Sequence, residues 1–433
     1  MKNRTAGISF IYITILIDVI GIGIIIPILP SLLETTLGVE TSKAAIYGGG
    51  LLVAYGLFQF LCSPILGRIS DRYGRRPVLL ISLLGLGLDY LLLATTSSYT
   101  VFLIGRIIAG ICGASFSTAN AYIADVSLPQ NRARNFGMVG AMFGIGFIIG
   151  PALGGLLSER IGIHGPFYVS AALSLINFLY GLLVLPESLP KERRRDFKLK
   201  DANPIKTLEF FGRHTMVRKL VPTFALLLVA GQAIQGIWSY FVKERYGWDD
   251  GEIGLSLAIV GLVVGIIQGG VTGRVVKKYG LVKTIFIGLV FNGTGLFLFG
   301  LATEGWMVLT ILVPYALGGI AGPALQSILS NAVPDNEQGE LQGSLVSLQS
   351  ASGLLGIGIM FGIFALFTNG WVADIYLPGA HLFLASILIG VAGLLAYPVL
   401  KDYKLPEEDA HELATPPPAA TPGVPPVEVP AEE

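Results

Sequence analysis

Two acids and one base lie deep inside long apolar stretches of this chain: Asp18, Asp89 and Arg106. At about 1.5 Å per helical residue, Asp18 falls roughly 15 Å from the start of its run, and Asp89 falls a little past the middle of its own. Both therefore belong near mid-depth of a hydrocarbon layer. A carboxyl group that alternates there between neutral and ionised states is what proton coupling requires, because a low dielectric penalises the charged form. The competing reading is a permanent ion pair of either aspartate with Arg106. Just ahead of Asp89 the chain reads Gly67-Arg-Ile-Ser-Asp71-Arg72-Tyr-Gly74-Arg75-Arg76, one acid among four bases between two apolar runs. Gly67 and Gly74 are expected to allow a tight hairpin between two helices, with the arginines held in the headgroup layer. The plainer reading of this segment is a topology signal plus a turn.

The elements that must position these groups are membrane helices. Of the 433 residues 53% are hydrophobic and 13% charged, against roughly 25% charged for soluble domains. A spanning helix needs about 20 mostly apolar residues. Twelve such runs occur, near 8 to 34, 44 to 64, 78 to 97, 99 to 122, 134 to 157, 164 to 185, 218 to 242, 253 to 275, 283 to 302, 306 to 331, 341 to 367 and 378 to 400. They are too long for barrel strands and lack the alternation a lipid-facing barrel needs. Most Lys and Arg fall in the N-terminal stub, in the loops after runs 2, 4, 6 and 8, and in the tail; Lys43, Arg160, Lys243 and Arg245 fall on the other side. The positive-inside rule then puts both termini in the cytoplasm of a multi-pass inner-membrane protein. The first run is too long for a signal-peptide core, so it is expected to remain in the mature protein. Cys62 and Cys112 lie inside predicted helices, and His164, His214, His381 and His411 are scattered. Neither set forms a metal site or a catalytic triad, so no cofactor is expected.

The chain divides where Pro186-Glu187 ends run 6 and Lys191-Glu-Arg-Arg-Arg195 opens the longest hydrophilic loop. The halves repeat at an offset of 206, with Gly67, Arg68, Arg72, Tyr73, Gly74 and Gly137 matching Gly273, Arg274, Lys278, Tyr279, Gly280 and Gly343. Internal duplication of this kind predicts two related bundles. The expected fold is all-α, with twelve transmembrane helices in two pseudo-symmetric six-helix bundles: 1–185, a cytoplasmic linker 186–217, and 218–400. Residues 401–433 turn to Pro, Ala, Thr and Glu and are expected to be a disordered cytoplasmic tail.

Run 5 carries Gly146, Gly150 and Gly154 at intervals of four, close to one helix face, with Pro151 expected to bend the helix. Such a face suits the moving interface between halves; ordinary small-residue packing is the alternative. The second half keeps Gly356 but follows it with Ile357. It offers the neutral groups Gln232, Gln235, Trp238, Tyr240, Gln268, Asn292, Tyr315 and Gln326, a set able either to line a cavity for an amphipathic solute or to join helices.

These residues resemble a known family. The twelve runs, the Gly67–Arg76 motif with its degraded second copy, and Gly146-x-x-x-Gly150-Pro151-x-x-Gly154-Gly155 look like the major facilitator superfamily, the last like its proton-driven drug antiporters. Asp71-Arg-Tyr-Gly-Arg-Arg-Pro-Val-Leu-Leu80, Leu88-Asp89-Tyr-Leu-Leu-Leu-Ala94, Glu304-Gly305-Trp306 and Pro323-Ala-Leu-Gln326 resemble the tetracycline efflux antiporters. The resemblance implies proton coupling or substrate binding at Asp18 and Asp89, with Arg106 matching the family's arginine of helix 4. It implies gating by Gly67, Asp71, Arg72, Gly74, Arg75, Asp125, Gly146, Gly150, Pro151 and Gly154, with Asp71 at the N-terminus of helix 11 and Arg75 paired with Asp125. Gln59, Gln268 and Gln326 recur in the family, and with Asn292 they are the expected substrate contacts. The chain departs from the family at Asn292, which stands where an intramembrane aspartate is expected, and at Val264, which replaces a histidine. Asn carries no proton, so the coupling route and the use of a metal-chelated substrate are both at issue.

The function expected is a monomeric, bilayer-embedded antiporter that exports a small amphipathic compound, such as a tetracycline-like drug, against protons by alternating access. A proton-coupled symporter importing a sugar or metabolite is the alternative. An enzyme is disfavoured by the lack of clustered nucleophiles or metal ligands, a receptor by the duplicated halves, and nothing points to nucleic acid.

Overall fold

A computed structural model describes residues 2–113, 115–127, 129–194, 209–334, 337–370, 375–401 and 403. Most of the tail and positions 195–208 of the linker lie outside the described residues. The first half contains α1 (Lys2–Leu37), α2 (Thr41–Tyr73), α3 (Arg75–Thr95), α4 (Tyr99–Gly113), α5 (Phe116–Val126), α6 (Pro129–Ile161) and α7 (Gly165–Val184). The second contains α8 (Thr215–Gln235), α9 (Trp238–Tyr246), α10 (Asp250–Ile266), α11 (Thr272–Leu301), α12 (Gly305–Leu317), α13 (Ala321–Asn331), α14 (Gln338–Thr368) and α15 (Ala380–Leu400). No strand occurs among the described residues.

Among the described residues, eleven helical segments are long and apolar enough to cross a membrane. One of them, Asp250–Leu301, has 52 residues, roughly 78 Å of helix against a hydrocarbon core of about 30 Å. It turns at Gly280, where φ is 78°, and so supplies two crossings, which makes twelve. The matching residue of the first half, Gly74, has φ of 105° and separates α2 from α3. Both positions lie in the region that glycine enters without penalty. The hairpin expected between Gly67 and Gly74 is thus narrower than the sequence suggests. α2 continues through Gly67, Ser70 donates to the Gly67 carbonyl at 2.7 Å, and Gly74 alone makes the turn. The Arg68–Tyr73 stretch stays helical because its backbone groups find partners inside the helix.

Packing repeats across the halves. α1 lies along α6 and α3 along α7; correspondingly α8 lies along α14 and α11 along α15. The halves meet where α6 crosses α10 and where α2 crosses α14. Breaks recur as well: the fourth crossing is interrupted between α4 and α5, and the tenth between α12 and α13 by the short 3-10 segment Gly318–Ile320.

The glycine stripe of α6 faces inward to its own half. A Cβ on Gly150 would lie 2.8 Å from the Gly23 Cα and from the Ile20 carbonyl, and one on Gly146 would lie 2.8 Å from the Val19 side chain. A Cβ on Gly154 would run into the Ile24 carbonyl. The contact between halves uses the other side of the same helix, where Gly155 faces Gly251, Pro151 presents its carbonyl to Gly254, and Ile148 faces Gly261. The sequence expectation thus places α6 correctly at the interface while attaching that role to the wrong glycines. A period of four shows which residues share a face, not which neighbour the face meets.

Gly150→Ala should force α1 and α6 apart at an overpacking cost of about 1–3 kcal/mol and lower the thermal midpoint in detergent. Gly144→Ala, with no atom within 4 Å of its new carbon, should leave the midpoint unchanged. Equal midpoints for the two variants would show that this contact does not hold the half together.

Candidate functional site

The charged groups converge at mid-helix in the first half. α3 and α4 are brought close by Gly105, whose missing side chain leaves room for the Asp89 carboxylate and for Leu93. Arg106 Nη2 reaches Asp89 Oδ2 at 2.5 Å, with the Asp89 side chain fully buried and that of Arg106 12% exposed. The ion pair weighed from the sequence is therefore formed, and by Asp89 alone. Asp18 approaches from α1, and its Oδ1 is buried without a hydrogen-bond partner among the described residues, as are Asp89 Oδ1 and Arg106 Nε. Arg106 is thus paired with Asp89, and Asp18 stands apart from that pair. The same cluster holds Tyr90 and Tyr55, each within electrostatic reach of Asp18, Asp89 and Arg106. Gln59, one turn beyond Tyr55 on α2, donates to the Tyr55 hydroxyl at 3.2 Å and to the Gly113 carbonyl at 3.4 Å.

Beside this cluster lies a cavity of about 360 Å³ between the halves. Tyr55, Gln59 and Arg106 supply its polar groups from the first half; Gln232, Gln235, Tyr240, Gln349 and Ser350 supply them from the second. Ile, Leu and Phe side chains make up most of the remaining wall. Arg106 is the only lining residue with a formal charge. An apolar wall with a few convergent polar groups suits an amphipathic solute. The Tyr240 hydroxyl is buried and has no partner among the described residues.

Of the four substrate contacts expected from the sequence, Gln59 lines this cavity and the other three do not. Gln268 sits in the π-helical segment Ile267–Val271 near Gly319. Asn292 packs on α11 against Gly318, where an added Cβ would meet its backbone at 2.6 Å. Gln326 donates to Gln342 at 3.1 Å. Trp238 donates from Nε1 to Ser256 at 3.0 Å, and Tyr315 packs at a tilt against Phe299, both inside the second half. The sequence reading missed Tyr55, Gln349 and Ser350. A usable signal existed: Tyr55 is one turn from Gln59, and Gln349-Ser350 interrupts an apolar run.

At the Gly74 end, Arg75 binds Asp71 at 2.7 Å and Asp125 at 3.2 Å. Arg72 lies over the Tyr73 ring at 5.4 Å. The Arg75–Asp125 pair matches the expectation. Asp71 does not: its partner is Arg75 of its own half, whereas the first turn of α14 carries Glu340, bound to Arg213 at 2.9 Å. Glu337, just before that turn, binds His214 at 2.8 Å. Each of these ion pairs joins groups of one half.

The opposite end is stitched across the halves. Lys243 binds Glu34 at 2.9 Å and donates to Ser31, which in turn donates to Asp250. Ser158 donates to the other Asp250 oxygen at 2.7 Å, and Asn369 donates to the Ser42 carbonyl at 3.2 Å. Below these bonds, Tyr240 and Phe361 of the second half seat against Gly48 and Gly49 of α2. Bulkier residues there would displace the rings. The cavity is therefore sealed towards the Glu34 end.

The Major Facilitator Superfamily model matches residues 11–357. The chain is 41% identical to the class C tetracycline resistance protein of Escherichia coli, over 89% of this chain and 96% of that protein. It is 36% identical to the class B protein of Escherichia coli, over 88% and 94%. Among solved structures, a bacterial homologue of the lysosomal transporter Spinster, inward-facing and unoccupied, superposes with a TM-score of 0.72 at 15% identity, covering 93% of this chain and 99% of that one. The human organic anion transporter MFSD10 gives 0.66 at 24% identity, covering 90% and 99%. With its twelve crossings, its duplicated glycine turns and these relatives, the chain belongs to the Major Facilitator Superfamily.

Proposed function

We propose that this protein is a proton-coupled antiporter of the inner membrane, with both termini cytoplasmic, that exports a tetracycline-like amphipathic drug as a monomer. The observation that carries the reading is the buried Asp89–Arg106 pair with a second, unpaired acid, Asp18, in the same half, Arg106 reaching the wall of the central cavity. The relatives, tetracycline resistance proteins over most of their length, favour export of a drug over import of a sugar.

The two aspartates divide the work. Asp89 is held by Arg106, and breaking a buried pair leaves an uncompensated charge. Asp18 has no such partner among the described residues. Asp18 is therefore the acid that gains and loses the transported proton, while Asp89 and Arg106 fix the potential it feels. With Asp18 ionised, the two acids and one base of this half give the region behind the wall one net negative charge, which favours a substrate carrying donors or positive charge. Protonation from the outer side removes that charge and lowers affinity, so substrate leaves as the proton enters. Gln59 with Tyr55 binds the substrate from the first half, and Gln232, Gln235, Tyr240 and Gln349 bind it from the second. The Gly67, Asp71, Arg72, Gly74, Arg75 and Asp125 group governs the cytoplasmic end, and α6 meets the other half through Ile148, Pro151 and Gly155 while Gly146, Gly150 and Gly154 hold it to α1. Gln268, Asn292 and Gln326 serve packing within the second half.

Susceptibility in a host without its own efflux pumps tests the whole reading. Expression should raise tetracycline resistance, and a protonophore should abolish the gain; resistance that survives the protonophore would overturn proton coupling. Asp18→Asn should insert normally, bind drug without pH dependence and lose uphill transport in proton-gradient vesicles, whereas full proton-driven accumulation would assign the proton elsewhere. Asp89→Asn leaves Arg106 unpaired and should lower both transport and thermal stability.

Asn292→Asp tests the helix 9 departure. The added acid costs about 2.5–3.5 kcal/mol on insertion scales, so the comparison is made on the inserted fraction. Its pH and divalent-metal dependence should match the parent protein; a gain in either would bring position 292 into the transport path.

A further inference from the structure

The Gly74 turn is fastened by a residue outside the motif. Glu187 follows α7 at the start of the segment that joins the halves. Its Oε1 accepts the backbone N–H groups of Arg75 at 2.8 Å, Ser188 at 3.0 Å and Leu189 at 3.1 Å, and its Oε2 accepts that of Arg76 at 3.3 Å. Arg75 and Arg76 open α3, so the carboxylate occupies the N-terminus of that helix, where unpaired donors and the helix dipole both favour an anion. Gly74 makes this approach possible: a Cβ there would lie 2.7 Å from the Glu187 carboxyl carbon. Neighbouring bonds secure the same segment. Ser188 donates to Asp125 at 3.1 Å, Arg76 donates to the Leu182 carbonyl at 2.8 Å, and Tyr122 donates to the Pro186 carbonyl at 3.1 Å.

We propose that Glu187 is a positioning residue for transport: by fixing the first turn of α3 it aims Arg75 at Asp71 and Asp125, and it ties that charge group to the connection between the halves. The glycine at 74 is then needed for two reasons, its positive φ and the space it gives Glu187. This inference rests on the reading of the Gly74 group as a gate. Glu187 is far along the chain from Gly74 and touches neither cavity nor proton cluster, so its effect is on cycling and not on recognition.

The test uses the full-length protein in everted vesicles with tetracycline as the probe, alongside equilibrium binding and thermal midpoints. Glu187→Ala should lower the maximal transport rate about tenfold, the size of one lost charged cap, with KM and equilibrium binding within about twofold. Glu187→Gln keeps an accepting oxygen and should recover most of the rate, and its thermal midpoint should equal that of the parent. Arg75→Gln should slow transport by itself and add little when combined with Glu187→Ala, because both remove one arrangement. Additive losses in the double variant, or a parallel fall in binding and midpoint for Glu187→Gln, would overturn the positioning role. If Arg75→Gln alone leaves turnover normal, the gate reading itself fails, and that outcome is separate from a normal rate in Glu187→Ala with a slow Arg75→Gln.

Discussion

A charge at mid-membrane must be compensated where it stands, and the first half is organised around that constraint. Placing Asp, Lys or Arg at the centre of a spanning helix costs about 2.5–3.5 kcal/mol on insertion scales. Asp89 and Arg106 meet the cost with a short ion pair, for which Gly105 clears the space between α3 and α4. The pair leaves one acid over. Asp18, on a helix packed against α6, keeps a buried carboxyl oxygen without a hydrogen-bond partner among the described residues. The fold compensates one of its two mid-membrane acids by contact and leaves the other to burial alone.

The packing of α6 differs between its two faces. Backbone meets backbone at Gly150 and Gly23, so α1 and α6 approach as closely as two helices can. Across α6, the contact with α10 is also made by small residues, Gly155, Gly251 and Gly254, with Ile148 seated against Gly261. One helix thus uses its small residues twice, for close approach to its own half along one face and to the other half along the opposite face.

The sequence revealed the layout because hydropathy and glycine are local signals. Twelve apolar runs became twelve crossings, Gly74 and Gly280 became turns, and Asp89 beside Arg106 became an ion pair. What it hid was relative. The stripe at 146, 150 and 154 was legible as a stripe, yet the neighbour it meets depends on tertiary placement. Gln268, Asn292 and Gln326 are polar residues in apolar runs, as Gln232 and Gln349 are, and hydropathy cannot say which side of a helix faces a cavity. Glu187 read as a loop residue because its partners, the N–H groups of Arg75 and Arg76, are more than a hundred positions away.

The two ends of the molecule are held together differently. At the Glu34 end the acids Glu34 and Asp250 meet Lys243, Ser31 and Ser158 across the seam, so separating the halves there breaks charge-assisted bonds. At the Gly74 end Arg75 and Arg213 pair inside their own halves with Asp71, Asp125 and Glu340, and these bonds survive when the halves part. Opening the Glu34 end parts Lys243 from Glu34 and Asp250 from Ser31 and Ser158, and Asp250, already joined to Lys243 through Ser31, is the acid of its own half nearest to take that lysine over.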